Sequence, residues 1–277
     1  MKATPLSLAS FDLDILKGWD IRLSPRFWSY KPLFKIHLES SQYILKTATS
    51  MDELISVFSL RHSIFLEHTE GGGHADGYDL DQFDDKCDHL IIIDKQTDEI
   101  CGTYRVLTSL TADHFYSETE FRMKKFLSTP GIKMELGRAC IHHNHRNGSV
   151  IDLLWRGIGM YVQKSGAEYL FGCSSVKSTD INTAFALFQE LSQSELLSDE
   201  YEIRSYGDFE VDFSDLRPAM LEVDSKRLLP PLLRSYFSAG AKVYGTPALD
   251  IEFECFDFLT ILKLTELSAS FKRRYFS

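Results

Sequence analysis

Residues 135–151 read Glu-Leu-Gly-Arg-Ala-Cys-Ile-His-His-Asn-His-Arg-Asn-Gly-Ser-Val-Ile. This stretch begins as an apolar strand that contains an acid and a base. It passes through a polar turn with Arg146 and Gly148 and continues as a helix from Ser149. A strand, a basic turn and a helix N-terminus together present backbone N–H groups to a phosphate, and the helix dipole adds to the attraction. Because many α/β proteins have a strand–turn–helix, its interpretation depends on the charged residues elsewhere in the chain.

The composition is typical of a soluble globular protein. The 277 residues are 44% hydrophobic and 25% charged, enough for the core of one enlarged domain or two small ones. The formal net charge of −10 argues against general nucleic-acid binding, which needs a basic surface. Five cysteines are scattered without a Cys-x-x-Cys pair, and no stretch has the pattern of a membrane span or a signal peptide. We therefore expect reduced thiols and a cytoplasmic protein.

Hydrophobic periodicity and turn residues predict an α/β protein. The predicted strands are 42–48, 88–94, 100–108, 132–142, 168–175, 241–244 and 249–262. The predicted helices are 51–68, capped by Ser50 and Glu53, then 149–165, 180–193, 230–239 and 264–275. This order favours a central mixed sheet with helices on both faces, in which ligands bind where strands diverge. We assign residues 40–277 to this domain and residues 1–39 to an N-terminal arm.

The arm is rich in aromatic and basic residues. They include Trp19, Arg22, Arg26, Phe27, Trp28 and Lys31. Such a segment packs on its own domain in many proteins, but aromatic and basic residues together also suit a lipid headgroup boundary. Both interpretations remain open.

Charged side chains interrupt apolar segments at intervals that indicate a common site. Arg61 and Phe65 are four residues apart, so they share one face of the first predicted helix. Arg105 interrupts one apolar strand, and Glu135 and Arg138 interrupt the next. A charge inside an apolar strand is costly unless it is paired. The loop after the first helix supplies two acids that could pair with these bases, Asp81 and Asp84.

Glu135 and Arg138 would face opposite sides of a regular strand because they are three residues apart. Gly137 lies between them, and a glycine inside a strand often marks a bulge. One extra residue would bring both side chains to the same face. It would also free backbone N–H groups that could hold a carbonyl oxygen as it becomes an oxyanion.

These residues belong to a longer, ordered set of motifs. The set consists of Arg61-x-x-x-Phe65, Asp81-x-x-Asp84, Gly102-Thr103-Tyr104-Arg105, Tyr116-Ser117-Glu118-Thr119-Glu120-Phe121, Glu135-Leu136-Gly137-Arg138, His145-Arg146-Asn147-Gly148, Leu153-Leu154-Trp155, Tyr169-Leu170-Phe171-Gly172-Cys173, Leu229-Pro230-Pro231-Leu232-Leu233-Arg234, Gly240-Ala241-Lys242 and Phe256-Asp257-Phe258-Leu259. With this set, which extends over about residues 42–262, the chain resembles the GNAT acyltransferase superfamily. It is most similar to the bacterial hemolysin-like, ornithine-lipid type N-acyltransferases, which resemble acyl-homoserine-lactone synthases in fold.

The resemblance implies a substrate pair. The donor would be a fatty acyl thioester, usually on the phosphopantetheine of acyl carrier protein, with acyl-CoA also possible. The acceptor would be the primary amine of an amino acid such as ornithine, and the product an N-acyl amino acid or lyso-ornithine-type lipid. No further cofactor is implied. The turn around Arg146 and Gly148 departs from the usual GNAT spacing, which favours a carrier protein with one phosphate over CoA.

The resemblance also implies that the charged residues form an ion-pair network around the reaction cleft. We assign catalysis to Glu135, Arg138 and Asp84, with Glu135 or a water that it holds as the general base. We assign acceptor binding to Arg61, Phe65, Asp81 and Arg105. In this assignment Arg61 or Arg105 holds the acceptor carboxylate, and Asp81 or Asp84 holds a second ammonium. We assign donor binding to Ile141, Arg146, Asn147, Gly148 and Ser149.

Two other residue groups could suggest chemistry, but a structural role explains each of them. His142, His143 and His145 lie at a strand-to-helix turn without a carboxylate or cysteine to complete a ligand set, so we expect no metal site. Cys173 ends a strand near the expected cleft, but direct transfer needs no nucleophilic thiol. We expect it to line the core or the cleft.

Two other functions remain open. An acyl-homoserine-lactone-type synthase would use adenosylmethionine, but that branch has a tryptophan where this chain has Gly71. A catalytically silent acyl-carrier-binding module would need no complete charge set. The expected partners are acyl carrier protein, a small amino-acid acceptor and, peripherally, the cytoplasmic face of the inner membrane, with the basic tail Lys272-Arg273-Arg274 as a second contact.

Overall fold

A computed structural model describes residues 29–66, 77–216 and 229–276. Its strands are β1 His37–Glu39, β2 Tyr43–Thr47, β3 Asp88–Asp94, β4 Ile100–Thr108, β5 Phe121–Arg122, β6 Ile132–Ile141, β7 Ala167–Lys177, β8 Leu197–Ser198, β9 Arg204–Ser205, β10 Lys242–Tyr244, β11 Ala248–Asp250 and β12 Cys255–Lys263. Its α-helices are α1 Met51–Phe65, α2 Lys124–Leu127, α3 Gly148–Ser165, α4 Ile181–Gln193, α5 Pro231–Ala239 and α6 Ala269–Tyr275.

The main strands and helices agree with the sequence predictions, with one strand divided in two. The predicted strand 249–262 is the hairpin of β11 and β12, in which Ala248 pairs with Asp257. The hairpin turn contains Ile251, whose side chain is exposed, and Glu254, whose φ of +47° interrupts an extended strand. The short strands β1, β5, β8 and β9 were not predicted, because two or three residues are too few to show an alternating pattern.

Helix α1 begins at a side-chain cap, as predicted. The Ser50 hydroxyl oxygen accepts a hydrogen bond from the Glu53 N–H at 3.3 Å. The Glu53 carboxylate accepts from the N–H of Thr49 at 2.7 Å, one residue earlier than the reciprocal capping box would have it.

The central sheet has ten strands in the order β1-β2-β3-β4-β6-β7-β12-β10-β8, with β11 paired beside β12. Its described strand pairs are antiparallel except for β6 with β7 and β10 with β8. Helix α3 connects β6 to β7, because parallel neighbours need a crossover connection. A second, two-stranded sheet pairs β5 with β9.

Helices cover both faces of the sheet. Leu90 and Ile92 of β3 pack in one apolar cluster with Trp155 of α3. Ile91, between them, packs in another with Phe58 of α1. Since consecutive side chains of a strand point to opposite faces, α1 and α3 lie on opposite sides of the sheet. The predicted α/β fold class, a mixed sheet with helices on both faces, is confirmed.

The aromatic and basic residues from Trp19 to Trp28 lie outside the described residues. Within the range assigned to the arm, β1 pairs antiparallel with β2, and Ile36 is buried in the cluster that contains Trp155. Among the helices of the described ranges, none combines the length and the apolar character that crossing a bilayer requires.

Candidate active site

Three arginines and three aspartates form a buried ion-pair network, as the strand charges predicted. Arg61 reaches from α1, Arg105 from β4 and Arg138 from β6. The acids come from the loop between α1 and β3. Their contacts are Arg61 Nε to Asp79 Oδ2 at 2.7 Å, Arg61 Nη1 to Asp84 Oδ1 at 2.7 Å, Arg105 Nη1 to Asp81 Oδ2 at 2.6 Å and to Asp84 Oδ1 at 3.3 Å, and Arg138 Nε to Asp79 Oδ2 at 3.2 Å.

The network is held charged by its own pairing. Burial raises the pKa of Asp79, but the nearby Arg61 and Arg138 outweigh burial and hold that pKa below its usual value. Asp81 follows the same pattern, with Arg105 and Arg138 lowering the pKa of its carboxyl against burial. Sequence reasoning missed Asp79. Its alternation with Asp81 in an irregular loop was the available signal, although a loop has no fixed side-chain period.

The network has a closed side and an open side. The Arg61 side chain is fully buried, and its Nε, Nη1 and Nη2 all donate to Asp79 or Asp84. In this geometry Arg61 holds two carboxylates and presents no donor to a substrate, so its assignment to acceptor binding stays a prediction that the ion pairs argue against. Arg138 and Asp81, with 12% and 17% of their side chains exposed, form the open side.

Aromatic rings cover the open side of the network. The Arg138 guanidinium carbon lies 4.3 Å from the ring centre of Phe253 and 4.7 Å from that of Tyr116. The predicted acceptor residue Phe65 meets Phe253 edge to face, with ring centres 6.3 Å apart. Phe253 therefore lies between Phe65 and Arg138, and Phe65 is at the edge of the same site.

The predicted bulge is present, one residue later than Gly137. Thr103 pairs with Cys140 and Arg105 with Gly137, so one residue of β4 lies opposite two residues of β6, Arg138 and Ala139. Arg138 itself has a φ of +48°, in the left-handed region. A bulge re-aims side chains and interrupts the ladder. Its effect here is to direct Arg138 into the network.

Glu135 is buried and holds a turn. Its Oε1 accepts from the N–H and the hydroxyl of Ser117, at 2.7 Å and 2.6 Å, and its Oε2 accepts from the N–H of Tyr116 at 2.9 Å. Burial raises the pKa of this carboxyl, against the hydrogen bonds from Ser117 and the nearby Arg105. A carboxyl with a raised pKa suits a general base. Its role as the base stays a prediction, and any proton would reach it most directly through the Ser117 hydroxyl.

A cleft opens where β6 and β7 stop pairing. The two parallel strands pair from Ile132 with Ala167 to Glu135 with Phe171. Beyond this point, among the described strands, β6 pairs only with β4 and β7 only with β12. At the point of separation a side chain on Gly172 would place its Cβ 2.2 Å from the Leu136 carbonyl oxygen, so only glycine fits. The residues that line the cleft include Leu136, Cys173, Ser174, Tyr236, Thr260 and Leu262.

The predicted donor-binding turn lies at the end of β6. Helix α3 begins at Gly148, and the Asn147 side-chain oxygen accepts from the N–H groups of Ser149 at 3.1 Å and Val150 at 3.2 Å. The exposed Arg146 donates from Nε to the carbonyl of Ile141 at 3.1 Å. A phosphate at this helix end would replace the Asn147 oxygen as the acceptor. Phosphate binding by this turn stays a prediction.

A second acidic group, which sequence reasoning did not single out, adjoins the cleft. Glu120, Cys173 and Asp257 bring ligand atoms within 4.8 Å of one another, as do Asp250, Cys255 and Asp257. Burial raises the pKa of the Cys173 thiol well above its usual value, in keeping with a cleft-lining residue. An acid in the apolar strand Phe256-Asp257-Phe258 was the signal that could have found this group.

The three histidines of the strand-to-helix turn do not belong to either acidic group. His145 Nδ1 lies 3.1 Å from the Tyr43 hydroxyl and 3.6 Å from Asp94 Oδ2. The rings of His142 and His143 are in contact at a tilt of 37°, with ring centres 4.2 Å apart. The expectation that no metal binds here stays an expectation.

Known proteins are similar to this chain in sequence. Residues 60–156 match the acetyltransferase (GNAT) domain family. The L-ornithine N(alpha)-acyltransferase of Rhizobium meliloti (strain 1021) is 29% identical over 246 residues, which cover 83% of each chain. The protein of the same name from Brucella abortus (strain 2308) is 27% identical over 248 residues, 83% of this chain and 88% of that protein.

Solved structures that match this chain include two synthases. The acyl-homoserine-lactone synthase LasI matches with a TM-score of 0.48 and 13% identity, over 86% of this chain and 96% of that one. FeeM, an N-acyl amino acid synthase from uncultured soil microbes, matches with a TM-score of 0.44 and 10% identity, over 81% and 92%. The GNAT match contains every residue that the sequence assigned to catalysis, acceptor binding or donor binding, from Arg61 to Ser149.

Proposed function

We infer that this chain is an N-acyltransferase of the GNAT superfamily, related to the L-ornithine N(alpha)-acyltransferases. We propose that it moves a fatty acyl group from the thioester of acyl carrier protein to the amine of an amino acid of the ornithine type. The product is an N-acyl amino acid, or lyso-ornithine-type lipid. The names of the relatives support the acceptor class, and the departure of the turn around Arg146 and Gly148 from the usual GNAT spacing favours the carrier protein.

The cleft between β6 and β7 is the observation that carries this proposal. Beyond Glu135 and Phe171 each strand has an edge that no strand of the described ranges pairs with. A phosphopantetheine arm contains amide groups, and such an arm can add to a free strand edge by backbone-type hydrogen bonds. Its thioester would then lie near the bulge at Arg138, where the ladder between β4 and β6 is interrupted, and a backbone N–H left unpaired by the bulge could stabilise an oxyanion.

The reaction needs a neutral amine. A free α-amino group has a pKa near about 8, so it loses its proton at modest cost near neutral pH. The amine nitrogen then forms a bond to the thioester carbon, the carbon–sulfur bond breaks, and the departing sulfur takes up a proton. We propose that Glu135, through the hydroxyl of Ser117, receives the proton that the nitrogen gives up.

The open side of the ion-pair network is suited to the acceptor carboxylate. Arg138 is the most exposed of the three arginines, and its guanidinium can share a donor with a carboxylate without leaving Asp79. Arg105, which the sequence assigned to this contact as the alternative to Arg61, has 4% of its side chain exposed and is held by Asp81 and Asp84. We therefore prefer Arg138 for this contact.

Incubation of the purified chain with acyl carrier protein thioester and L-ornithine tests the proposal. We expect N-acylornithine in the mass spectrum and free carrier thiol in equal amount. Product only with adenosylmethionine would indicate the acyl-homoserine-lactone-type reaction. Carrier binding without any product would indicate the silent module. Acyl-CoA in place of the carrier thioester measures the donor preference, which we expect to favour the carrier.

Reversing the charge of Arg146 should weaken the donor and leave the acceptor nearly unchanged. The exposed guanidinium precedes the N-terminus of α3, where a phosphate would bind. We expect the KM for acyl carrier protein to rise in Arg146→Glu, and the difference from the wild type to shrink at high salt, because exposed charges are screened. Lys164→Glu makes the same change at the other end of α3 and serves as the control. Equal changes in both KM values would assign Arg146 a structural role.

We also propose weak, reversible attachment to the cytoplasmic membrane face. Releasing the acylated product into water would expose its chain at about 0.8 kcal/mol per methylene, and docking at a bilayer avoids this. The candidate contacts are the segment 19–31 and the basic residues of α6, where Lys272 and Arg273 are exposed. Flotation with anionic liposomes should recover the full chain, and less of a chain that starts at Pro32, which keeps β1 and the buried Ile36. Equal flotation would exclude the segment, and no flotation of either chain would exclude attachment.

A further inference from the structure

Three carboxylates are buried together beside the cleft without a basic partner among the described residues. Glu120, Asp250 and Asp257 are each at most 4% exposed. Their hydrogen bonds come from neutral groups. The Ser175 hydroxyl donates to Asp257 Oδ1 at 2.6 Å, the Phe253 N–H donates to Asp250 Oδ1 at 3.0 Å, and the Cys173 thiol donates to Glu120 Oε2 at 3.6 Å.

This acidic group differs from the ion-pair network a short distance away. In the network each aspartate contacts at least one arginine, and the numbers of acids and bases are equal. Buried charges are ordinarily paired, because removing an unpaired ion from water costs on the order of several kcal/mol. Arg138 lowers the pKa of Asp257 from nearby, but its ion pairs are with Asp79 and Asp81. The acidic group therefore lacks a salt-bridged positive charge among the described residues.

Glu120 carries the unpartnered atom. Its residue is 0% exposed, and its Oε1 has no hydrogen-bond donor among the described residues. Burial, Asp257 and Asp250 raise the pKa of Glu120 well above its usual value, against smaller effects of Tyr116 and Cys173. Burial, reinforced by Asp250, likewise raises the pKa of Asp257 to about 6. Both raised pKa values show that the ionised carboxylates are unfavourable as they stand, and a positively charged ligand would stabilise the ionised form.

The acidic group is continuous with the reaction cleft. Cys173 lines the cleft and also contacts Glu120. On its other side the Cys173 thiol lies 3.5 Å from the hydroxyl of Ser117, which bonds to Glu135. A molecule whose amine reacts near Glu135 would therefore have its far end near Glu120.

We propose that Glu120, Asp257 and Asp250 bind the side-chain ammonium of the acceptor and so select basic diamino acids. This inference rests on the proposed function and names the residues that choose its acceptor. It replaces Asp81 and Asp84 as the residues that receive the second ammonium, because both are already paired with arginines. In this arrangement the acceptor carboxylate meets Arg138, the α-amine faces the thioester, and the side chain extends past Cys173.

An ammonium suits this group better than a metal ion. A divalent ion bound here would use the thiols of Cys173 or Cys255 as thiolates. Burial raises the pKa of both thiols above its usual value, which disfavours the thiolate form that a metal ion would bind. An ammonium needs only the carboxylates, and its three donors match the free Oε1 and the remaining lone pairs of the aspartates.

The test compares L-ornithine with L-norvaline, which has the same carbon chain without the terminal ammonium. In Glu120→Gln we expect the KM for ornithine to rise by at least about tenfold, as for truncation of a buried charge contact, and that for norvaline to change by less than about twofold. Asp257→Asn should act in the same direction. Glu202→Gln, which removes a carboxylate that is 73% exposed and paired with Lys125, should change neither value. Equal changes for both acceptors in Glu120→Gln would overturn the inference.

Thermal unfolding gives a second measurement that needs no turnover. Ornithine, but not norvaline, should raise the Tm of the wild-type chain, and this increase should be lost in Glu120→Gln. Glu120→Gln without ligand should be at least as stable as the wild type, because it removes one of three unpaired acids. If no donor supports transfer to any amine, the proposed function fails. If transfer occurs without preference for ornithine, or if the wild-type chain holds one equivalent of metal after purification, the inference alone fails.

Discussion

Arg61→Met should lower the free energy of unfolding by about 3–5 kcal/mol, because it leaves buried carboxylates without their main partner. Arg61 donates to both Asp79 and Asp84 and is fully buried, so neither water nor a side-chain rotation can replace its guanidinium. Methionine fills much of the same volume, so the loss would reflect charge and hydrogen bonds more than a cavity. Urea unfolding followed by circular dichroism measures the difference.

The matched control is Lys125→Met, which removes a cation from an exposed pair. Lys125 contacts Glu202 at 2.9 Å, and more than half of each side chain is exposed. Exposed pairs contribute about 0.2–1 kcal/mol, so this variant should unfold close to the wild type. If Arg61→Met also lowers the free energy of unfolding by less than about 1 kcal/mol, the remaining arginines are sufficient partners for Asp79 and Asp84. The arginine of α1 would then not be needed to stabilise the network.

Glu135→Gln should reduce kcat by about 10²–10⁴-fold, which is the usual contribution of a general base. The substitution is not neutral for structure, because both carboxylate oxygens accept from backbone N–H groups. An amide nitrogen would face one of these donors, so we also expect a loss of about 1–3 kcal/mol of stability with the fold retained. The remaining rate should rise about tenfold per pH unit below the α-amine pKa of about 8, because only the already neutral amine can react.

Glu118→Gln separates the chemical effect from the structural one. Glu118 lies in the same turn, and its Oε2 accepts from the Phe115 N–H at 2.8 Å, so its loss disturbs a similar bond. We expect a comparable change in stability and nearly normal turnover. Single-turnover measurements of both variants should therefore diverge. If Glu135→Gln also turns over at a nearly normal rate, Glu135 only holds the turn of Tyr116 and Ser117, and another group removes the proton.

Local patterns in the sequence were sufficient for the secondary structure that supports the site. The apolar run in residues 88–94 and the capping signal at Ser50 are properties of neighbouring residues, and β3 and α1 lie where these signals predicted them. The bulge was also predictable, because the side-chain period of a strand sets where Glu135 and Arg138 must face. The residue with the positive φ is nevertheless Arg138 and not Gly137. Two residues of β6 lie opposite one residue of β4, and this pairing determines which residue of β6 bends.

The sequence by itself thus determined the α/β order of elements, the presence of a group of charges in the strands, and the protein family that the chain resembles. Only the tertiary structure decided which of these charges are free to meet a substrate. Arg61 was nominated to bind one, but packing of α1 against the loop closes it between Asp79 and Asp84. Glu120 and Asp257 are far apart in the chain, and they meet because β7 pairs with β12 and brings Cys173 and Ser175 between them. Pairing of charges depends on burial and on distances across the sheet, which no local spacing encodes.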